Sequence, residues 1–367
     1  PFFKNKVFFL QYTDYPGGIC EYVTNFITQS FFYDSWGTYI LLLLIIILMF
    51  VSKYITSQYK SGGKGFFWMF IPVLLTIILI HDYHFPLSVV FKILVALLAF
   101  ASILSLKQKL GLIYTLIPVF ALILYYIAGS GVMSVFLICT VLYFSLSLNL
   151  RIKEKLIIII ISSFSAFIIT YIGYKYLFNI TPKQKWFFII PDLPIVLKYK
   201  PSKTFYIFVF SIPSLILLLS IADYCLLLAE NKINSIYQKI KSLVEKNSII
   251  FSLCLIVISS SLIYLTYKII CKKYYNLHEK NVILVDYYTV NKQWDKAYEI
   301  ALQDNSYDYF ENINFNRCVY NSGRFGRSFF IYPQLLGSDA LFPDKIPAGQ
   351  IALLSSDFYY ELGYVSE

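Results

Sequence analysis

Two carboxylates, Asp14 and Glu21, flank a Pro-Gly-Gly break in the stretch YTDYPGGICEYVTNF, just before a long apolar run. A carboxylate in such a place can act as a general base or can ligate Mg²⁺ or Mn²⁺. The other interpretation is structural, because apolar residues recur at helical spacing from Ile19 to Phe32. This pattern predicts an amphipathic helix lying at a membrane interface, with Glu21 near its N-terminus and directed away from the apolar stripe.

The stretch HDYH offers a second candidate, a metal site that would use His81, Asp82 and His84. Because these two histidines lie on a short connector without a third ligand, we interpret them as ordinary polar residues at the membrane interface and not as zinc ligands. The six cysteines form no CxxC pair and no metal-ligand spacing with histidine. We therefore expect no metal site and no bound cofactor. A divalent metal is expected only under the alternative that the chain is an enzyme.

The composition is that of a membrane protein, since 58% of the residues are hydrophobic and only 14% are charged. A soluble domain carries about a quarter charged residues. We expect an all-α, polytopic helix bundle, and the lack of an initial Met together with a helical pattern at the last residues predicts a fragment that continues at both ends. The predicted spans are residues 38–55, 66–80, 86–106, 110–128, 131–149, 155–177, 204–228 and 248–270.

Basic residues alternate between the predicted connectors, as the positive-inside rule requires of a polytopic protein. The connectors HDYHF and GSG carry no lysine or arginine. Residues 1–37 and 271–367 then fall outside the cytoplasm, on either side of the bundle at 38–270. The net charge of +10 is explained by these connectors, so we predict no nucleic-acid partner. The connectors assigned to the cytoplasm are residues 52–65, 107–109, 150–155 and 229–247.

One connector that is predicted outside, residues 178–203, is basic as well. Its aromatic residues and prolines indicate a segment that lies in the membrane interface. Its lysines either extend to the lipid head groups or contact the phosphate of an anionic lipid-linked substrate. The lysines assigned to such contacts are Lys183, Lys185, Lys198 and Lys200.

Two charged residues, Lys92 and Asp223, lie inside predicted spans. An ionisable residue within a span is a functional candidate by default. Because the two lie near opposite membrane surfaces, we expect no ion pair between them. We expect each side chain to extend to the nearer surface instead.

The residues after Cys271 have the pattern of stacked amphipathic helices. Bulky residues after a turn recur at Trp294, Phe325 and Tyr364, with spacings of 31 and 39 residues. These values bracket the period of about 34 residues of tetratricopeptide repeats. The predicted core stripes are Trp294, Ala297, Tyr298, Ala301 and Leu302; Phe315, Cys318, Val319 and Ser322 before Gly323; and Ile351, Leu354, Phe358 and Leu362 before Gly363.

The stretch YPGGICEYVTNFITQSFF and the tail FENINFNRCVYNSG resemble an uncharacterised family of large bacterial membrane proteins, in which a multi-span half precedes tetratricopeptide-like repeats. That resemblance implies no established activity. The early acidic loop and the outer tail also resemble the layout of GT-C-type glycosyltransferases, which use lipid-linked sugar donors. In such an enzyme Asp14 and Glu21 would be catalytic.

Two functions are therefore expected from the sequence. The first is a bacterial inner-membrane protein that displays a helical-repeat domain outside the cytoplasm and binds an envelope protein or peptide there. The alternative is a GT-C-type glycosyltransferase. The question of whether the chain is an enzyme is left open at this point.

Overall fold

A computed structural model describes residues 6–33, 35–59, 66–80, 85–147, 150–178, 208–225, 276–303 and 308–334, together with the single residues 261, 264, 268, 337 and 360. Every regular element in this part of the chain is helical, which confirms the all-α fold class. The residues form two compact units, one made of the apolar helices and one made of the helices after residue 273.

The first unit begins with two short helices and continues with long apolar ones. A 3₁₀ turn, Gln29–Phe32, follows the second helix, and another, Phe66–Met69, precedes the fourth. A π-helical turn, Gly173–Leu177, extends the eighth. The helices are α1 (Lys6–Thr13), α2 (Gly18–Thr28), α3 (Trp36–Ser57), α4 (Phe70–Ile80), α5 (Leu87–Ser105), α6 (Leu110–Ala128), α7 (Ser130–Leu146), α8 (Ile152–Ile172) and α9 (Phe208–Cys225).

Five helices in the described residues are long and apolar enough to cross a membrane, namely α3, α5, α6, α8 with its π-helical turn, and α9. A helix needs about 20 apolar residues to cross the hydrocarbon core. Their length and apolarity indicate a membrane protein. The predicted spans at 66–80 and 131–149 correspond to the shorter apolar helices α4 and α7, of 11 and 17 residues. The predicted span at 248–270 lies outside the described residues except for the single positions 261, 264 and 268.

Contacts between connectors agree with helices that run alternately up and down. At one end of the bundle, the Lys107 Nζ donates a hydrogen bond to the Gln58 Oε1 at 3.1 Å. At the other end, the Gly17 N–H donates to the Tyr126 carbonyl at 3.1 Å, and the Tyr126 ring stacks on Phe178 with centroids 5.7 Å apart. Each contact joins residues that the sequence assigns to the same end of the bundle.

The second unit contains α10 (Leu277–Val290), α11 (Trp294–Gln303), α12 (Tyr309–Asn321) and the short α13 (Phe325–Ser328). Two of these helices begin at a polar cap. The Asn276 side chain accepts a hydrogen bond from the Glu279 N–H, and the Asp308 side chain accepts one from the Phe310 N–H. Such caps satisfy N–H groups that have no partner within the helix.

Most residues of the first two predicted stripes lie in the core of this unit. The core side chains, from three helices and the segment after α13, are Val285, Ala297, Ala301, Phe315, Cys318, Val319 and Tyr332, with Trp294 and Tyr298 packed against them. The prediction is wrong for Leu302, which is 38% exposed, because the neighbouring Ala301 occupies the core-facing direction of α11. The predicted stripe from Ile351 to Leu362 falls outside the described residues.

Candidate functional site

The Pro-Gly-Gly break forms a turn between α1 and α2 that packs on the C-terminal end of α6. Gly17 has a φ of 90°, a conformation that glycine adopts without strain. A Cβ atom at this residue would lie 2.8 Å from the Ala128 carbonyl oxygen. Glycine is therefore needed at this position for both its backbone conformation and the close approach to α6.

The turn brings Glu21 of α2 against Lys92 of α5. The Lys92 Nζ lies 2.5 Å from the Glu21 Oε1, and the Tyr15 hydroxyl donates a hydrogen bond to the Glu21 Oε2 at 2.7 Å. Lys92 is 0% exposed and Glu21 is 4% exposed. Both oxygens of this carboxylate are thus engaged, one by a cation and one by a phenol.

The prediction that Lys92 extends to the membrane surface is wrong. The residue lies five positions into α5, about 8 Å from the start of that helix at 1.5 Å per residue. Its ammonium group stays buried because Glu21 supplies a carboxylate at that depth.

The α2 helix is amphipathic, as predicted, but its polar face packs against protein. Its buried positions are Gly18, Cys20, Glu21 and Thr24, and the helix contacts α5 and α6. The apolar Val23 and Phe26 are exposed on the opposite face, each by 44%. The sequence predicted that the polar residues lie opposite the apolar stripe, and the ion pair to Lys92 explains why this polar face is directed toward the bundle.

The electrostatics of this cluster keep its neighbouring groups protonated. Burial, followed by the negative charge of Glu21, raises the pKa of the Tyr15 phenol far above its ordinary value. Burial also raises the pKa of the Cys20 thiol to about 11, although the Lys92 ammonium acts in the opposite direction. Tyr15 therefore acts as a neutral hydrogen-bond donor, and Cys20 carries no thiolate at neutral pH.

Of the other predicted site residues, Asp14 lies within the described part of the chain. Asp14 is exposed in the bend before Pro16. The lysines of the 178–203 connector and the HDYH stretch fall outside the described residues. In the described part of the chain, no group of three or more His, Cys, Asp or Glu residues is placed to hold a metal ion.

Tyr15 and Lys92 are the members of the cluster that the sequence did not assign to it. For Lys92 a signal was present, because it is the charged residue of an otherwise apolar span and such a residue requires a partner. For Tyr15 the sequence offered no such signal among 33 tyrosines. The pairing of Glu21 with Lys92 joins residues 71 positions apart.

The fold and the buried cluster together define an α-helical membrane protein with a second, separately packed helical unit. Within that class, the chain belongs to a family of unknown function, DUF6057, whose model matches residues 2–367. The predicted resemblance to an uncharacterised family is thereby confirmed over nearly the whole chain. Neither the curated proteins nor the solved structures include a match to this sequence.

Proposed function

We propose that this protein is a multi-pass protein of the bacterial inner membrane that displays a helical-repeat domain outside the cytoplasm, where the domain binds an envelope protein or peptide. The observation that carries the proposal is a structural recurrence at 31 residues in the second unit. A repeat of this kind lets each helical pair bury its apolar face against the next one.

The recurrence begins at the turns between helices. Lys292 and Gly323 both have positive φ, of 57° and 70°, and they lie 31 residues apart. A bulky aromatic residue follows each of them after one further residue and begins the next helix, Trp294 for α11 and Phe325 for α13. The same backbone turn thus precedes the same kind of side chain twice.

The recurrence continues inside the helices at the same offset. Ala297 and Ser328 are both small and buried, and Tyr298 and Phe329 are both aromatic and packed against the core. The two copies touch directly, since the Tyr298 hydroxyl donates a hydrogen bond to the Ser328 Oγ at 3.2 Å. This alternation of large and small side chains supports a tetratricopeptide-like repeat.

A stripe on α10 is the partner-binding surface that we assign to this domain. Ile283, Tyr287 and Val290 are exposed and follow one another at i, i+4 and i+7, so they lie on one face of the helix. An exposed apolar stripe on a unit that packs its own core separately is typical of a protein-binding surface. We name these three residues the α10 stripe.

The location outside the cytoplasm rests on the lysine-rich connectors at 52–65, 107–109, 150–155 and 229–247. The contacts between residues assigned to the same end of the bundle support this alternation. Residues 1–37 and 271–367 are then both assigned to the outer side of the membrane.

The test uses the chain through Glu367 and has two parts. Alkaline phosphatase fused after Glu367 is expected to be active, and β-galactosidase at the same place inactive. In-membrane crosslinking is expected to capture an envelope protein with the wild-type chain, to lose it with Ile283→Asp, and to keep it with the control Tyr320→Asp, which changes an exposed residue of α12. Equal capture by both variants, or a reporter that is active only in the cytoplasm, would contradict the proposal.

The GT-C-type glycosyltransferase remains the alternative, and the exposed position of Asp14 beside the docked turn is the observation in its favour. Because both Glu21 oxygens are engaged, Asp14 would be the accessible base in this case, and Glu21 would hold the turn in place. The lysines of the 178–203 connector would bind the phosphate of the donor. Loss of sugar transfer from a lipid-linked donor in Asp14→Asn, at unchanged protein abundance, would favour this alternative over the first.

A further inference from the structure

The polarity of α2 is reversed relative to a helix on the surface of a water-soluble protein. Its ionised side chain points into the protein, and its large apolar side chains, Val23 and Phe26, point outward. In water this arrangement would leave apolar area exposed. Next to hydrocarbon it is favourable, because the apolar face needs no cover and the Glu21 charge is satisfied inside the bundle by Lys92 and Tyr15.

The same exposed apolar surface is found on the neighbouring elements. In α1, Val7 and Leu10 are exposed, and the 3₁₀ turn after α2 contacts α3. The first turns of α3 expose Trp36 and Tyr39, and exposed leucines and isoleucines follow along that helix. Exposed apolar side chains are therefore found on α1, on α2 and on a helix that is itself long and apolar enough to cross the membrane.

The position of this hairpin along the bundle indicates its depth. The turn at Gly17 binds the last residues of α6, and the chain enters α3 only eight residues after α2 ends. Both ends of α2 thus lie near one end of the bundle, where tryptophan and tyrosine are typical of the boundary between head groups and acyl chains.

From these observations we infer that the α1–α2 hairpin is a lipid-contacting element. Its outward face, with Val23 and Phe26, lies against phospholipid acyl chains at the head-group boundary of the leaflet that adjoins the Gly17 turn. Its inward face is held by the ion pair between Glu21 and Lys92. The partner of this surface is the lipid itself. The inference is independent of the binding function proposed for the second unit.

Photo-crosslinking of the full-length chain in membranes tests this inference. The probe is p-benzoyl-phenylalanine introduced in place of Phe26, with Val23 as a second position in case the first variant folds poorly. Two matched controls replace other phenylalanines: Phe330, which is exposed in the second unit, and Phe100, which is buried in the bundle. After irradiation, adducts are identified by mass spectrometry.

The expected result is a phospholipid adduct at Phe26 and Val23 that is several times more abundant than at Phe330 and is missing at Phe100. A predominant crosslink from Phe26 and Val23 to a second copy of the chain, or to residues of the second unit, would overturn the inference, because a protein would then cover this face. Lipid labelling at Phe26 no stronger than at Phe330 would overturn it as well.

Discussion

Removing either partner of the buried ion pair has an effect whose size follows from the structure. At 2.5 Å and an effective dielectric constant of about 20, the attraction between the Lys92 and Glu21 charges is about 7 kcal/mol. Burying each ion costs several kcal/mol, so the intact pair contributes little net stability. A single substitution removes the attraction and leaves the other charge buried, which costs about 3–5 kcal/mol.

The assay is the reversible unfolding of the detergent-solubilised full-length chain, measured at pH 7. The double variant Glu21→Gln with Lys92→Met should recover at least about 2 kcal/mol relative to the sum of the two single losses. Lys109→Met is the matched control, because that lysine is exposed and makes no side-chain cap hydrogen bond, and its loss should stay within about 0.5 kcal/mol. Additive single losses would refute the reasoning.

Three further predictions concern the turns and the thiol. Gly17→Ala should strongly lower the melting temperature in detergent because its Cβ would clash with the end of α6, whereas Gly111→Ala, which meets open space, should not. Gly323→Ala should lower the free energy of unfolding by about 1–2 kcal/mol, because the φ of Gly323 is positive. The control is Gly326→Ala, whose Cβ also meets open space but whose φ is not positive, and this variant should be neutral or slightly stabilising. Cys20 should react with iodoacetamide at pH 8 roughly 200-fold more slowly than an ordinary thiol, because a pKa of about 11 lowers its thiolate fraction. The rate is measured by mass spectrometry of the alkylated chain, and a rate close to that of an ordinary thiol would contradict this prediction.

Hydropathy and helical periodicity depend on residues that are close in sequence, and the helices that these patterns define could be predicted from the sequence. The predicted span at 38–55 lies within α3, and the one at 110–128 coincides with α6. The small residues Ala297 and Ala301 are buried as their spacing predicted, and Gly323 ends α12 through its positive φ. In each case the local pattern is sufficient for the prediction, because the residues within one helix determine which of its faces is apolar.

The sequence also predicted an amphipathic α2, but not which of its faces meets the protein. That choice depends on Lys92, which lies 71 residues away, and on a turn that Gly17 allows to approach α6. The helical spacing of apolar and polar residues is the same in a helix whose polar face meets water and in one whose polar face contacts a buried lysine. Local pattern thus determined the helices of this protein, and only the packing of α2 against α5 decided that Glu21 is an internal ion-pair partner, because that pairing is a contact between distant parts of the chain.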